Sequence, residues 1–189
     1  MQENRVRLSN FGTIDADDSR LVEVASTTTS PQRLHWRAAE ALERLRAEAL
    51  EAGLDLRVAS GWRPQLWPTR AAYETAMIGQ YGSVAEGKKW RAYESPHMTG
   101  LALDFGSEGL APKSATAGAQ KQTAAYAWLS ENAERFGLTP YLREPWHWEL
   151  NITRDEWEEA SGTPWLSVVA GTAGVLAFVS GAAWWALRS

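Results

Sequence analysis

The stretch SPHMTGLALD, residues 95–104, decides the fold around a candidate metal site. Its two metal-binding side chains, His97 and Asp104, lie seven residues apart, too far for one face of a helix. The segment LALDFG is typical of a β-strand that carries Asp104, and Gly100 permits a turn before it. We therefore expect a loop bearing His97 to lead into a strand bearing Asp104, so that the two side chains converge.

A second stretch, EPWH at residues 144–147, supplies another histidine and another carboxylate. HWEL, which begins at His147, is typical of a further strand, so His147 would complete a set of three ligands with His97 and Asp104. Two imidazoles and one carboxylate leave an open position for water on a zinc ion. Glu144 would then be the general base that takes a proton from the attacking water and passes it to the leaving amine. The pattern predicts metal-dependent hydrolysis.

Several of these residues also have simpler interpretations. Arg63, in the segment SGWRP, offers a cation for a developing oxyanion or a substrate carboxylate, but it could be an ordinary surface charge. Glu144 could merely pair with Arg143. A set of two histidines and one carboxylate also occurs in non-haem iron oxygenases, although the first two ligands there usually lie closer in sequence and Glu144 would have no task. His35, in a predicted helix, is interpreted as a packing or solvated residue and is assigned no role.

Composition excludes other kinds of site. The chain has 189 residues, a formal charge of −4, and no basic run, so no nucleic-acid partner is expected. It contains no cysteine, which excludes disulfides, thiolate metal sites and a cysteine nucleophile. A hydrophobic share of 44% and a charged share of 22% are normal for one globular domain.

Apolar periodicity predicts helices and strands that alternate along the chain. We expect a helix that starts at Ser30–Pro31 and ends at Gly53, a second over residues 71–78, and a third over 123–136. The strands are expected in LDLRVAS, LALDFG and HWEL, and EGLAPKSATAGAQ is expected to be an exposed loop. The predicted fold class is α+β, with a small, mostly antiparallel sheet flanked by helices, plus one C-terminal transmembrane helix.

The C-terminal segment has the composition of a membrane span. Residues 165–187 run for 23 positions without a charge, with tryptophans near both ends. Small residues at four-residue spacing, such as Ala173 and Ala177, would permit self-association in the bilayer. We thus expect an N-terminal arm at 1–30, a domain that holds the candidate metal site at 31–160 and a transmembrane helix at 165–187. The N-terminus lacks the apolar region of a secretory signal, and the orientation in the membrane stays open.

Three motifs carry a resemblance to a known family. The pattern S-x-H-x-x-G-x-A-x-D is matched at each fixed position within residues 95–104, and SGWRP is similar to the family's S-G-Y-R stretch. The segment AYAWLSENAERFGLTPYLREPWHWEL resembles the family's segment that ends in E-P-W-H. Over residues 31–151 the sequence therefore resembles the VanY-type D-alanyl-D-alanine carboxypeptidases, zinc peptidases related to VanX and to phage L-alanyl-D-glutamate endopeptidases.

The resemblance implies a role for each site residue. It implies that zinc is bound by His97, Asp104 and His147, that Glu144 is the base, that Arg63 stabilises the transition state, and that Ser95 helps to hold the substrate. It also implies the α+β fold shared with the Hedgehog signalling domain. Pro68 replaces a glutamine that many members carry, and Glu149 stands where carboxypeptidases commonly have arginine and endopeptidases glutamate.

The expected function is zinc-dependent hydrolysis of the terminal D-Ala-D-Ala bond of peptidoglycan stem peptides. An L-Ala–D-Glu endopeptidase and a non-catalytic wall-binding domain are the alternatives. The expected location is the bacterial cell envelope, with membrane anchoring through residues 165–187; a phage lysis enzyme is the alternative.

Overall fold

A four-stranded antiparallel sheet organises the part of the chain that carries the site. The computed structural model describes residues 8–27 and 30–160. Within them the strands are β1 (Leu21–Val24), β2 (Gln32–His35), β3 (Arg57–Ser60), β4 (Ala102–Gly106), β5 (Leu138–Pro140) and β6 (His147–Leu150). β1 and β2 pair with each other, and the larger sheet has the order β3-β4-β6-β5. The strands predicted in LDLRVAS, LALDFG and HWEL correspond to β3, β4 and β6.

Helices cover this sheet and connect its strands. The α-helices of the described residues are α1 (Trp36–Glu51), α2 (Arg70–Tyr81), α3 (Val84–Gly87), α4 (Ala117–Gln120), α5 (Ala124–Asn132) and α6 (Arg154–Glu158). The apolar face of α1 is buried through Ala38, Leu42, Leu45 and Ala49. α5 continues into a 3-10 helix, Ala133–Phe136, which ends at Gly137 as predicted. The segment expected to be one exposed loop contains α4 and a short 3-10 turn.

The predicted start of the first helix is wrong. Ser30 and Pro31 do not begin α1, because Gln32–His35 forms β2 and pairs with β1. The helix begins only at Trp36, where the imidazole of His35 accepts a hydrogen bond from the backbone N–H of Arg37. The local cap signal is overridden by a strand pairing that helix periodicity does not reveal.

The register of the central strands sets the positions of two predicted ligands. Asp104 of β4 pairs directly with His147 of β6, and Ser60 at the end of β3 lies on the other side of Asp104. Residues opposite each other on antiparallel strands bring their side chains close on one face. Leu103 and Phe105 alternate with Asp104 and are fully buried on the other face. The sheet therefore holds two polar groups side by side above an apolar core.

Residues 8–27 pack against the site-bearing region. They belong to the same compact unit as residues 30–159. The Ile14 backbone N–H donates to the Met98 carbonyl at 2.9 Å, and the indole N–H of Trp62 donates to the Ile14 carbonyl at 3.1 Å. These bonds connect the N-terminal segment to the turn that carries His97 and to the loop that carries Arg63.

The structure confirms an α+β fold with small antiparallel sheets flanked by helices. The predicted transmembrane helix at 165–187 lies outside the described residues. None of the helices within residues 8–27 and 30–160 has the length and apolar composition needed to cross a bilayer.

Candidate metal centre and its groove

His97 is positioned by a capped 3-10 turn. Ser95 is the N-cap of the 3-10 helix Pro96–Thr99, and its hydroxyl accepts a hydrogen bond from the His97 backbone N–H. The helix ends at Gly100, which has a φ of +73°. A Cβ atom there would lie 2.7 Å from the backbone nitrogen of His35. Gly100 is thus required both for the left-handed turn and for the close approach of two backbone segments.

The three predicted ligands converge on one point. Nδ1 of His147 lies 2.9 Å from Oδ1 of Asp104, and Nε2 of His97 lies 3.3 Å from the same oxygen. The two imidazole nitrogens are 3.2 Å apart. The three side chains are buried, with relative exposures of 1% for His97 and 6% for both Asp104 and His147. Together they form the metal cluster.

Each imidazole of the metal cluster is oriented by its other nitrogen. Nδ1–H of His97 donates to the Gly61 carbonyl at 2.7 Å, because a carbonyl can only accept, and this leaves Nε2 with a free lone pair facing the cluster. Nε2–H of His147 donates to Oε1 of Glu149 at 2.9 Å and leaves Nδ1 facing Asp104. Hydrogen bonds of this kind fix the tautomer and ring orientation of metal-binding histidines.

Glu149 supports the metal cluster through its contact with His147, which sequence reasoning did not predict. It is only 7% exposed and lies two residues after His147 on β6. Side chains at positions i and i+2 of a strand share a face, so the spacing itself was a signal that the two would meet. From the sequence alone, Glu149 is a marker of substrate class and not a predicted partner of His147.

The cluster fits a divalent metal ion. Ligand atoms about 2.0–2.1 Å from a tetrahedral zinc ion lie roughly 3.3–3.4 Å from one another. The three ligand-to-ligand distances of 2.9, 3.2 and 3.3 Å are close to these values. Nitrogen and oxygen donors of this type suit zinc and other first-row metals, and the residues present fit such an ion.

The protonation states also suit metal binding. Burial lowers the pKa of His97, which favours its neutral form. Burial acts to raise the pKa of Asp104, but the adjacent histidines outweigh it and hold this pKa well below its usual range. For His147, burial lowers the pKa, yet hydrogen bonds to Asp104 and Glu149 prevail and raise the pKa to about 9. His147 therefore has to release a proton when a metal binds.

The metal cluster opens onto a groove that contains the other predicted site residues. The groove has a volume of about 1320 Å³, and its lining includes Arg63, Ser95 and Glu144 together with the three ligands. Arg63 is held beside His97, since its backbone N–H donates to the His97 carbonyl at 3.3 Å. Glu144 begins a turn in which the His147 N–H donates to the Glu144 carbonyl at 2.9 Å. The structure thus brings together all six predicted residues.

His35 has a structural role that the sequence analysis did not assign. Its Nδ1 accepts from the Arg37 N–H at 3.2 Å, and its Nε2–H donates to the Trp157 carbonyl at 3.0 Å. The ring is fully buried, and burial lowers its pKa to about 4. With both nitrogens occupied by backbone groups, His35 is not available as a ligand.

Comparisons with known proteins agree with this geometry. The model of the family VanY, D-alanyl-D-alanine carboxypeptidase, matches residues 31–151. The LdcB LD-carboxypeptidase, whose structure addresses peptidoglycan recognition, is 24% identical, with a TM-score of 0.58 over 77% of this chain and 80% of that chain. At this identity the likeness supports the fold alone. A search of curated protein sequences gave no significant match.

Two further solved structures are similar at lower TM-scores. VanYB in complex with D-alanine-D-alanine is 24% identical, with a TM-score of 0.48 over 77% of this chain and 84% of that chain. A mutant of the vancomycin-resistance D,D-pentapeptidase VanY in complex with Zn(II) is 24% identical, with a TM-score of 0.47 over 77% and 86%. The family match at residues 31–151 spans well over half of the 189 residues. The chain therefore belongs to the VanY D-alanyl-D-alanine carboxypeptidase family.

Proposed function

We propose that this protein is a zinc-dependent D,D-carboxypeptidase that removes the terminal D-Ala from peptidoglycan stem peptides ending in D-Ala-D-Ala. The observation that carries the proposal is the convergence of His97, Asp104 and His147 in a groove that also contains Glu144 and Arg63. A structural metal site would need neither a free carboxylate nor a cation beside it. Membership of the family supports the substrate class.

The residues of the chain divide the hydrolysis between them. His97, Asp104 and His147 would hold a zinc ion, which would supply Lewis-acid activation. Glu144 takes one proton from the attacking water as its oxygen bonds to the carbonyl carbon, and gives that proton to the amine nitrogen as the C–N bond breaks. Arg63 donates hydrogen bonds to the developing oxyanion. Ser95, which lines the groove, would hold the substrate peptide.

An L-Ala–D-Glu endopeptidase is a second candidate, and the observation that favours it is the contact of Glu149 with His147. The endopeptidases that the sequence resembles usually have glutamate at this position. A carboxylate that supports the metal ligand does not select a peptide bond by itself, so this candidate ranks second. The identity of the released product separates the two reactions.

We also propose that the protein is anchored in the bacterial cell envelope through residues 165–187, with a phage lysis enzyme as the alternative. The uncharged 23-residue run supports this anchoring. Membrane fractions of cells that produce the full chain should contain the protein, and a chain ending at residue 160 should be released. Equal release of both forms contradicts the anchor.

The main experiment digests purified muropeptides with the zinc-loaded protein and identifies the products by mass spectrometry. We expect free D-Ala as the sole small product. Glu144→Ala should slow hydrolysis by about a hundred- to ten-thousandfold while zinc remains bound, because it removes only the general base. Glu131→Ala, an exposed carboxylate on α5 outside the groove, is the matched control and should keep full activity.

Three results would contradict the proposal. Cleavage between L-Ala and D-Glu without release of D-Ala would replace it with the endopeptidase. Full activity of protein that has been verified as metal-free would remove zinc from the mechanism. If the zinc-loaded protein binds muropeptides but cleaves none of them, the alternative of a non-catalytic wall-binding domain would be supported instead.

A further inference from the structure

One wall of the groove is a basic segment to which neither the metal cluster nor the proposed chemistry assigns a task. Lys88, Lys89, Trp90 and Arg91 follow α3 and line the groove together with the metal cluster. All four side chains are exposed, and Trp90 is 68% exposed. These four residues are called the KKWR wall below.

The KKWR wall has a fixed backbone. Gly87, the last residue of α3, packs against Met77 of α2 so closely that a Cβ atom would lie 2.6 Å from the Met77 side chain. At the other end, the buried Tyr73 hydroxyl donates to the Arg91 carbonyl at 2.6 Å. The segment between these two contacts is hydrogen-bonded as a turn, with the Trp90 N–H donating to the Gly87 carbonyl at 3.0 Å. The wall is held in place at both ends.

Two cations of the KKWR wall form no ion pair with a carboxylate of residues 8–27 or 30–160. Lys89 pairs with Glu86 at 2.7 Å, and Glu94, which also lines the groove, pairs with Arg70 at 3.7 Å. Among the residues that the structure describes, no acidic side chain forms an ion pair with Lys88 or Arg91.

The lining of the groove contains one more cation than carboxylate: five cations (Arg63, Lys88, Lys89, Arg91 and Arg143) stand against four carboxylates (Glu94, Asp104, Glu144 and Glu149). Asp104 and Glu149 are occupied by hydrogen bonds to His147, and this leaves Glu144 as the carboxylate assigned to catalysis. Arg63 and Arg143 add two more cations to the same lining. A protein whose formal charge is −4 thus presents a groove with an excess of positive charge, which favours an anionic substrate.

Resting on the proposed function, we infer that the KKWR wall binds a free carboxylate of the stem peptide upstream of the scissile bond. The groove, at about 1320 Å³, exceeds the roughly 300–1,000 Å³ typical of small-molecule sites, so it has room for more than the terminal dipeptide. A stem peptide linked through the γ-carboxyl of D-Glu keeps a free α-carboxylate at that residue. Lys88 and Arg91 offer charge-assisted hydrogen bonds to such a group. The protein would therefore discriminate against stem peptides in which this carboxylate is amidated.

The test compares two pentapeptides that end in D-Ala-D-Ala and differ only at the D-Glu α-carbon substituent, carboxylate against carboxamide. With zinc-loaded wild-type protein at low salt, we expect kcat/KM to be about tenfold higher for the carboxylate peptide. The ratio should fall towards one at high salt and in the double variant Lys88→Gln/Arg91→Gln. The control double variant Arg44→Gln/Lys121→Gln changes the net charge equally at exposed sites outside the groove and should keep the wild-type ratio.

The other possible results either overturn the inference about the KKWR wall or support it. A ratio near one in wild-type protein, or a preference that survives in Lys88→Gln/Arg91→Gln, overturns it while the proposed function stands. If neither peptide is cleaved, the proposed function fails, and the affinities of both peptides for zinc-loaded Glu144→Ala protein, measured by calorimetry, decide the inference separately. Equal affinities overturn it, and tighter binding of the carboxylate peptide that depends on Lys88 and Arg91 supports it.

Discussion

Two buried polar clusters use histidine in opposite ways. In the metal cluster, His97 and His147 each have one nitrogen fixed by a neighbour and the other aimed at the shared site. A second group, called the Trp157 cluster, consists of Arg20, His35 and Trp157. In it, both ring nitrogens of His35 contact backbone groups. The carbonyl of Trp157 also accepts from Arg20 at 3.1 Å. All three histidines are buried, so the partner of the second nitrogen separates a ligand from a structural histidine.

The two clusters are linked through the turn that carries His97. The indole N–H of Trp157 donates to the Thr99 carbonyl at 2.9 Å, and the His35 backbone N–H donates to the Gly100 carbonyl at 2.9 Å. The Trp157 cluster thus fixes the end of the 3-10 helix in which His97 lies. Substitutions in the Trp157 cluster should therefore affect folding stability more than metal binding. Substitutions in the metal cluster should affect metal binding more than folding stability.

The largest difference is expected from removal of one histidine in each cluster. His147→Ala leaves two protein ligands, so zinc content should drop to background and hydrolysis should be abolished. His35→Gln should keep one equivalent of zinc per folded chain, because His35 does not reach the metal cluster. Elemental analysis after dialysis, with hydrolysis rates in parallel, measures both effects. Stoichiometric zinc in active His147→Ala protein would contradict the ligand assignment.

The second prediction concerns pH and metal-free protein. Burial lowers the pKa of His35 from 6.5 to about 4, so between these values the unfolded chain binds a proton that the folded chain does not. The contribution of His35 to the free energy of unfolding should therefore be fully present above pH 6.5. The free energy of unfolding should fall by up to about 3 kcal/mol as the pH decreases to 4. His147 in the metal cluster has the opposite pH dependence, because its pKa is raised to about 9. Its contribution to the free energy of unfolding is fully present below pH 6.5 and is lost as the pH rises through 9.

Urea unfolding at several pH values between 4 and 7 measures this effect against the same series for His35→Gln. Other groups titrate in both proteins, so the difference between the two slopes reports His35 alone. Identical slopes would mean that His35 titrates in the folded protein as it does in the unfolded chain.

The sequence predicts those features that depend on residue type and short-range spacing. β4, β6, α2 and α5 follow from apolar periodicity and glycine stops, and the three ligands follow from two short motifs. β2 was missed because its pairing with β1 involves residues that the helix pattern does not connect. β5 has only three residues and gives no periodic signal.

The details of the candidate site depend on contacts between distant residues. Helical position alone does not distinguish His35 from His97, since both stand at the start of a helical turn, although only His97 lies in a motif with Asp104. The distinction comes from Trp157, which lies 122 positions later and occupies the second nitrogen of His35. Gly61 orients His97 in the same way across 36 positions. Local patterns predicted the metal ligands. Tertiary packing determines which histidine has a nitrogen available to bind a metal.

The third prediction tests the support of the metal cluster. Glu149→Gln keeps an oxygen near Nε2 of His147 but removes the negative charge that orients and polarises the ring. Supporting residues of this type typically contribute about tenfold to a hundredfold to metal affinity, and we expect the lower end because a hydrogen bond remains. Competition with a chromophoric chelator measures the zinc affinity. Glu131→Gln is the matched control, and equal affinities of the two variants would show that Glu149 does not support the site.

The smallest effect on zinc affinity is expected in the Trp157 cluster. Trp157→Phe retains an aromatic ring in the core but removes the indole N–H that donates to the Thr99 carbonyl. An unpaired buried carbonyl should lower the free energy of unfolding by about 1–3 kcal/mol, measured by urea denaturation. Zinc affinity of the folded protein should change less than in Glu149→Gln, because His97 keeps its bond to Gly61. If zinc affinity falls as far in Trp157→Phe as in Glu149→Gln, the end of the 3-10 helix positions His97 directly, and the two clusters form one functional unit.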